Sequence, residues 1–482
     1  MSTIQYQVCD EFTQKFPIEF CRDHELLAVL ENGGGRSLLC TDDTSSFAVD
    51  IVVRILNHPL SVRRTTPEEV RSLTNEHYEM KASKQRSEQR SEGATLEEVF
   101  GEQLPGQSNN DLLESDSRGK TVKLVNELLL EAIQVGASDV HLQPFEDFVI
   151  VRMRLDGVLE DIRKLPRSTH DEVISRFKVA GKMNIAEKRL PQDGRATVCV
   201  GDRTIDLRLA SMPTNYGERI VVRLLDKSAR LYRLSELGMD EATLSRFRQL
   251  IGIEHGLVLV TGPTGSGKST TLYSALQELD IEHRNAVTLE DPIEYQLDGI
   301  SQTQINTKKG MTFASGLRSV LRQDPDIIMV GEIRDKETAV MAVQAALTGH
   351  LVFSTLHTND SASAITRMLD LGIEPYLVAS SVLGVLAQRL VRRRCEVCRA
   401  EMTTHCTHCR GTGYRGREGI YELLMISDRI REQVQNRANA TAIRKVAVQD
   451  GMQLLRDCGM TKVEQELTTL DEVNRVTMRT EL

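Results

Sequence analysis

The chain has 482 residues, with 60 Lys and Arg against 69 Asp and Glu, a formal charge of −9. At roughly 150 residues per domain, this length predicts about three domains, each large enough to bury a core. Hydrophobic residues make up 40% and charged residues 27%, which argues against general disorder, and the net acidity excludes a general attraction to nucleic-acid phosphates.

Residues 1–78 mix apolar runs such as Leu26-Leu-Ala-Val-Leu30 with turn signals such as Asn32-Gly-Gly-Gly35, and read as a small α+β module. Met1–Phe20 carries Gln, Asp, Glu and Lys where a signal peptide needs an apolar core, so export is not expected. Between 79 and 120, Lys, Arg, Glu, Ser, Gln and Asn dominate. That composition predicts a flexible linker, with a short helix at Leu96–Phe100.

A second domain, 121–235, opens with Val122, Val125, Leu128, Leu129 and Ala132 at helical spacing and Gly136 as a stop. Strands follow. Val151, Met153 and Leu155 alternate with Arg152 and Arg154; Ile205, Leu207 and Leu209 with Asp206 and Arg208; Ile220, Val222 and Leu224 with Arg219 and Arg223. Successive strand side chains point to opposite faces, so this is a sheet with one apolar face and one arginine-studded face. Gly201-Asp202 predicts a tight hairpin between two of the strands. A single arginine on such a face is ordinarily solvated; their recurrence marks a surface that can face phosphates.

The third domain, 236–392, alternates helical stretches with short apolar strands at Leu257–Thr261, Ala286–Leu289, Ile327–Val330 and Leu351–Ser354. That is the pattern of a parallel sheet covered on both faces. Pro375–Gln388, the longest uncharged stretch in the second half but broken by Ser and Gly, reads as a buried helix. It falls short of the roughly 18 apolar residues a membrane span needs. Residues 393–482 hold a cysteine cluster followed by a helical tail.

The chemistry concentrates in the third domain. Gly262-Pro263-Thr264-Gly265-Ser266-Gly267-Lys268-Ser269 satisfies G-x-x-x-x-G-K-[ST] between an apolar strand and a helix, and with Thr270 makes up the expected ATP-binding set. Backbone N–H groups of such a loop surround phosphate oxygens, the helix N-terminus adds partial positive charge, Lys268 reaches the β- and γ-phosphates, and the Ser269 hydroxyl ligates Mg²⁺. Ligands of open parallel sheets bind beside the carboxyl ends of the strands. Those ends carry Glu332 after Ile327–Val330, Glu290-Asp291-Pro292-Ile293-Glu294 after Ala286–Leu289, and His357 after Leu351–Ser354. A carboxylate there holds Mg²⁺ or polarises the attacking water. Nine cysteines, scattered except at 395–409, suit a reducing compartment rather than a disulfide framework. Cys395-x-x-Cys398 and Cys406-x-x-Cys409 have the spacing of a closed tetrahedral Zn²⁺ site, with His405 and His408 as less favoured ligands.

Several runs then resemble one family. Thr288-Leu-Glu-Asp-Pro-Ile-Glu-Tyr295 is similar to the aspartate box of the bacterial type II secretion and type IV pilus assembly ATPases. Leu321-Arg-Gln-Asp-Pro-Asp-Ile-Ile-Met-Val-Gly-Glu-Ile-Arg-Asp335 resembles their Walker B segment, and Thr348–Asp360 their histidine box. Gly136-Ala-Ser-Asp-Val-His141 and Leu190-Pro-Gln-Asp-Gly-Arg195 match the preceding domain, and Gly451–Thr477 the carboxyl-terminal helices. The resemblance covers roughly 120–482. It implies an α/β architecture: a RecA-like P-loop ATPase domain preceded by a PAS-like α+β domain, with a small N-terminal α+β module and a zinc-containing helical C-terminal region. It also implies a homohexamer in which Arg195 and Arg208 are supplied to a neighbour's phosphates, with Glu332, Glu290 and His357 as catalytic groups. Which of Glu290 and Glu332 is the base is left open. Assembly members carry the tetracysteine motif; here the spacer between its knuckles is shortened. Residues 1–78 match more weakly. In secretion members that region docks on an inner-membrane platform protein, which implies a cytoplasmic protein recruited peripherally. The expected activity is Mg²⁺-dependent ATP hydrolysis powering pseudopilus assembly and type II protein export. The alternatives are type IV pilus extension, DNA uptake, or, from another class, a nucleic-acid translocase. The acidic charge, 4% aromatic content and lack of Trp oppose the last, since single-strand binding relies on stacking platforms.

Overall fold

A computed structural model describes residues 112–477 apart from 202, 227–230 and 399–405, together with 94–95 and parts of 7–74. The chain divides into two compact units, Met1–Ala94 and Thr95–Leu482. In the first, β1 (Gln7–Val8), β2 (Leu26–Leu30), β3 (Arg36–Cys40) and β4 (Ser61–Arg64) form a sheet in sequence order, antiparallel except for the parallel β3–β4 pair. The apolar run Leu26–Leu30 is thus a strand, and Leu26, Leu27, Leu38 and Leu39 close a core with Phe12, Phe16 and Val52. Residues 31–35 and the expected helix at 96–100 lie outside the described residues.

The second unit begins with α1 (Leu112–Gln134). The helix starts before the Thr121 expected from its apolar spacing. Leu112–Lys120 has no apolar stripe, but extending an established helix adds a hydrogen bond per residue without a new nucleation cost. The helix ends where Gly136 takes φ +70°, the left-handed conformation that suits glycine. Strands β5 (Asp139–Pro144), β6 (Phe148–Leu155), β7 (Val158–Pro166), β8 (Gln192–Val200), β9 (Arg203–Thr214) and β10 (Gly217–Asp226) form an antiparallel sheet in the order β8-β9-β10-β5-β6-β7. Gly201, at φ +62°, sits in the expected hairpin. Val151, Met153, Ile205, Leu207, Leu209, Ile220 and Val222 are buried beneath α1 and α2 (His170–Ala180), and the arginines lie on the opposite face.

The mostly parallel second sheet of this unit comprises β11 (Gly256–Thr261), β12 (Ala286–Glu290), β13 (Ser301–Gln304), β14 (Ile327–Val330), β15 (Leu351–Leu356), β16 (Val382–Arg394) and β17 (Tyr414–Met425). Their order is β13-β12-β14-β15-β11-β16-β17, parallel until the final antiparallel pair. Alternate residues feed two cores. Leu257, Leu259, Ile328, Val330 and Val352 pack under α6 (Lys336–Leu347), while Val258, Val260, Ile327, Met329 and Phe353 pack against Tyr273 and Leu276 of α4 (Lys268–Glu278). Among the intervening helices are α3 (Glu241–Ile251), α5 (Phe313–Val320) and α7 (Ser361–Asp370).

Two expectations are corrected here. Pro375–Gln388 is not one helix. Only α8 (Pro375–Ser381) is helical, started by Pro375 in its first turn, and Val382 onward is strand β16 beside the P-loop strand. A continuous apolar run buried on both sides reads equally as helix or strand from periodicity. Packing decides it: a Cβ at Gly384 would lie 2.6 Å from Leu250 Cδ1 and 3.0 Å from the Leu424 carbonyl. The tail is likewise not wholly helical. β17 precedes α9 (Asp428–Gln435), α10 (Ala440–Gln449), α11 (Leu455–Glu464) and α12 (Leu470–Thr477). Its half Ile420–Leu424 is buried on both sides, so no alternation announced it. Among the described residues no helix is long and apolar enough to cross a membrane.

Candidate active site

The loop 262–267 joins β11 to α4, whose N-cap Gly267 is left-handed. Backbone crowding demands glycine at position 262, and a left-handed φ of +87° favours it at 267. A Cβ at Gly262, which has φ +152°, would lie 2.5 Å from the Gln388 carbonyl oxygen, and one at Gly267 would lie 2.8 Å from Gln388 Nε2. Lys268 Nζ donates to the carbonyls of Gly262 (2.8 Å) and Pro263 (3.0 Å). Burial pulls its ammonium down to about 8, with Glu332 opposing and Arg389 adding to the shift. Ser266 Oγ is buried without a hydrogen-bond partner, as a group reserved for a phosphate would be. Ser269 is exposed at the start of α4, where its hydroxyl would hold Mg²⁺ against the phosphates.

The carboxyl ends of the strands converge as expected. Glu332, Glu290, Asp291, Glu294 and His357 line one cleft of about 810 Å³ with residues 263–270. Glu332 is 13% exposed; its carboxylate pairs with Arg334 Nη2 at 2.5 Å and His357 Nε2 at 3.3 Å. Burial, with Lys268 adding and Glu332 opposing, holds His357 below the usual imidazole range. The histidine segment is fixed to the P-loop strand, because the Thr358 N–H donates to Thr261 Oγ1 at 3.0 Å. Glu290 is buried, and both carboxylate oxygens are occupied: Oε1 accepts from Thr288 Oγ1 (2.6 Å) and Gln302 Nε2 (3.0 Å), and Oε2 from the Tyr273 hydroxyl. Burial raises Glu294, with Arg208 and Arg223 opposing.

Arg195 and Arg208 are cross-strand partners on β8 and β9, but neither lines this cleft. Arg154 and Arg223 of the same sheet face line it instead, and both pair with Asp139, at 3.6 and 3.0 Å. Arg195 is exposed, and Arg208 Nε lies 3.8 Å from Asp206 without a hydrogen bond.

The family model for type II/IV secretion system proteins matches residues 114–475, spanning both the arginine-faced sheet and the P-loop domain. The chain belongs to that family. An MshEN domain model also matches residues 3–84. Type II secretion system protein HxcR of Pseudomonas aeruginosa is 51% identical over 372 residues, 76% of this chain and 79% of its own length. Type II secretion system ATPase E of Vibrio cholerae is 46% identical over 448 residues, 88% of both chains. The solved structure of the pilus retraction motor PilT with bound ADP is 29% identical, with a TM-score of 0.51, covering 73% of this chain and 96% of that one.

This type II/IV secretion system family chain also brings together the four cysteines expected to hold a metal. Cys395, Cys398, Cys406 and Cys409 are all buried, and their sulfurs lie within 4.8 Å of one another. The Cys395–Cys406 and Cys398–Cys409 distances are 3.9 and 3.5 Å. Tetrahedral Zn²⁺ with Zn–S of about 2.3 Å requires S···S of about 3.8 Å, so the donor set and its spacing fit. The Gly413 N–H donates to Cys409 Sγ at 3.3 Å, the kind of bond that orients a ligating thiolate. His408 is bonded to Arg415 instead (Nδ1 to Nη1, 2.8 Å), and His405 lies outside the described residues. Cys398→Ser is expected to abolish stoichiometric zinc in the purified protein, assayed by metal analysis, and to lower its thermal midpoint while leaving the P-loop fold intact. Unaltered zinc content would refute the tetrathiolate.

Sequence reasoning missed Tyr273, Gln302 and Arg389. Tyr273 carries no motif, yet its hydroxyl holds Glu290 and accepts the Glu294 N–H at 3.2 Å. Its position one helical turn beyond Lys268 and Ser269 was the available signal. Arg389 lines the cleft from β16 and donates to the Asn359 carbonyl at 2.6 Å; it follows directly on the run read as a helix, so no strand end pointed it at the cleft.

Proposed function

We propose that this chain is the ATP-hydrolysing motor of a type II secretion system, working as a homohexamer with Mg²⁺ to drive pseudopilus assembly and protein export. The observation that carries the ATPase is the convergence of Lys268, Glu332 and His357 on one cleft beside the P-loop. Positioning and electrostatic stabilisation are nearly all that phosphoryl transfer asks of a protein. Lys268 would hold the β- and γ-phosphates, and Glu332, at a strand end and partly open, would orient the attacking water and take its proton. Bound Mg²⁺ would neutralise charge between the phosphates. Secretion rather than pilus extension is supported by relatives named for type II secretion at 43–51% identity.

In this reading the 121–235 domain, PAS-like in the family, packs on a neighbour and delivers Arg195 and Arg208 to that neighbour's phosphates. Their absence from the chain's own cleft supports that role. Residues 1–78 would dock on an inner-membrane platform protein. The test is Arg208→Ala in the assembled protein. The expected result is a loss of about 10²-fold in kcat with ATP affinity little changed, as for a group acting on transition-state charge. Mixing Arg208→Ala with Lys268→Ala should restore part of the activity, because some sites then combine an intact P-loop with an intact arginine. Equal losses in binding and turnover, or no complementation, would refute donation between subunits.

A further inference from the structure

The sheet order separates the cleft into two sides. Glu290, Glu332 and His357 end β12, β14 and β15, all on one side of the P-loop strand β11. On the other side lie β16 and β17, and the cleft there is walled by Leu390, Arg417, Arg475 and Val476. The last two belong to α12, near the end of the described chain. A triphosphate held at the start of α4 must turn its γ end toward the acids, so its nucleoside end points to this opposite wall.

The wall is built rather than incidental. The Arg394 N–H donates to the Leu467 carbonyl at 2.8 Å, and Thr468 Oγ1 to the Arg392 carbonyl at 2.8 Å. Glu472, 3% exposed, receives the Arg392 N–H (3.1 Å) and Nη2 (2.8 Å). The same carboxylate grips Arg475 through Nε (3.0 Å) and Nη2 (2.7 Å). Against the upward push of burial, Arg475 and Arg392 hold this carboxyl down at about 2, so the clamp stays charged at neutral pH. Val473 and Val476 pack on Ala387 and Val391 of β16. A bidentate grip fixes the guanidinium plane of Arg475 at little further entropy cost, leaving a flat cation in a cleft that apolar Val476 and Leu390 also line. Such a surface suits a purine ring and ribose, through stacking and cation–π attraction.

We propose that α12 forms the nucleoside wall of the ATP cleft, with Arg475 and Val476 contacting base and ribose and Glu472 positioning Arg475. This rests on the ATPase reading above. ATP binding thereby couples the C-terminal helix, and through β16 the stem of the cysteine knuckles, to the occupancy of the cleft.

The test compares two probes on the full-length protein with Mg²⁺ by titration calorimetry: ATP, and inorganic tripolyphosphate, which has no nucleoside. Arg475→Ala is expected to weaken ATP about fivefold to tenfold, and Val476→Ala about twofold to threefold, with tripolyphosphate affinity unchanged in both. Arg475→Lys should recover only part of the loss, because a lysine cannot stack. ATP binding equal to wild type in both variants overturns the inference. So does a parallel loss of both probes, which would place α12 at the phosphates or in the fold alone. Wild-type protein that binds neither probe overturns the ATPase reading itself, and the inference with it.

Discussion

Lys268→Ala is expected to abolish ATP turnover, with a loss of at least about 10²–10³ in kcat, the scale seen when one preorganised donor to developing charge is removed. The side chain is 9% exposed and held by two loop carbonyls, so it is already placed at the mouth of the phosphate cradle. Its lowered value adds a pH signature with a definite sign. Burial, reinforced by Arg389 and opposed by Glu332, leaves the ammonium titrating at about 8. Below that pH the charge is present and available to phosphate. Above it, the amine must first take up a proton, so ATP affinity should fall as pH rises through about 8 and beyond. Calorimetry near that pH in two buffers of different ionisation enthalpy should show proton uptake on ATP binding, and Lys268→Ala should remove it. Binding without proton uptake in the unaltered protein would contradict the assignment.

The second large effect separates the two carboxylates. Glu332→Gln is expected to lower kcat by about 10²–10⁴ while changing ATP affinity by less than about threefold, because a general base acts in the transition state and not in the ground state. Glu290→Gln should behave differently. Its oxygens already accept from Tyr273, Thr288 and Gln302, so an amide there turns a donor toward a donor in a buried site. The expected cost is about 1–3 kcal/mol of stability, read by urea unfolding, with a smaller fall in single-turnover rate. The reverse pattern, a stable but inert Glu290→Gln beside an active Glu332→Gln, would make Glu290 the base.

The difference between these carboxylates was not legible in the chain. Both come at the ends of apolar strands, and both were assigned to the same sheet edge. Only packing shows that Glu290 is enclosed by Tyr273 from the P-loop helix and Gln302 from the edge strand, while Glu332 remains open beside His357. The arginine face shows the same division. Alternation on three strands placed Arg152, Arg154, Arg208, Arg219 and Arg223 on one surface, since strand geometry has a period of two. Which of them reach the chain's own cleft depends on how that sheet docks: Arg154 and Arg223 line it, and Arg208 does not.

Local spacing alone determined the P-loop, the strand-end acids, the cysteine quartet and the apolar face of the first sheet of the second unit. Each is set by contacts between residues close in sequence or by a strict short period. The tertiary structure decided what periodicity cannot encode. The apolar stretches Val382–Val391 and Gly419–Leu424 are strands because they are buried on both faces, one beside the P-loop strand and the other pairing with it from outside. A run buried all round carries no periodic mark of its secondary structure, so its neighbours choose it. The same holds for α12: its eight residues look like any solvated amphipathic turn, and only Glu472 reaching back to Arg392, far away in the chain, brings Arg475 into the cleft.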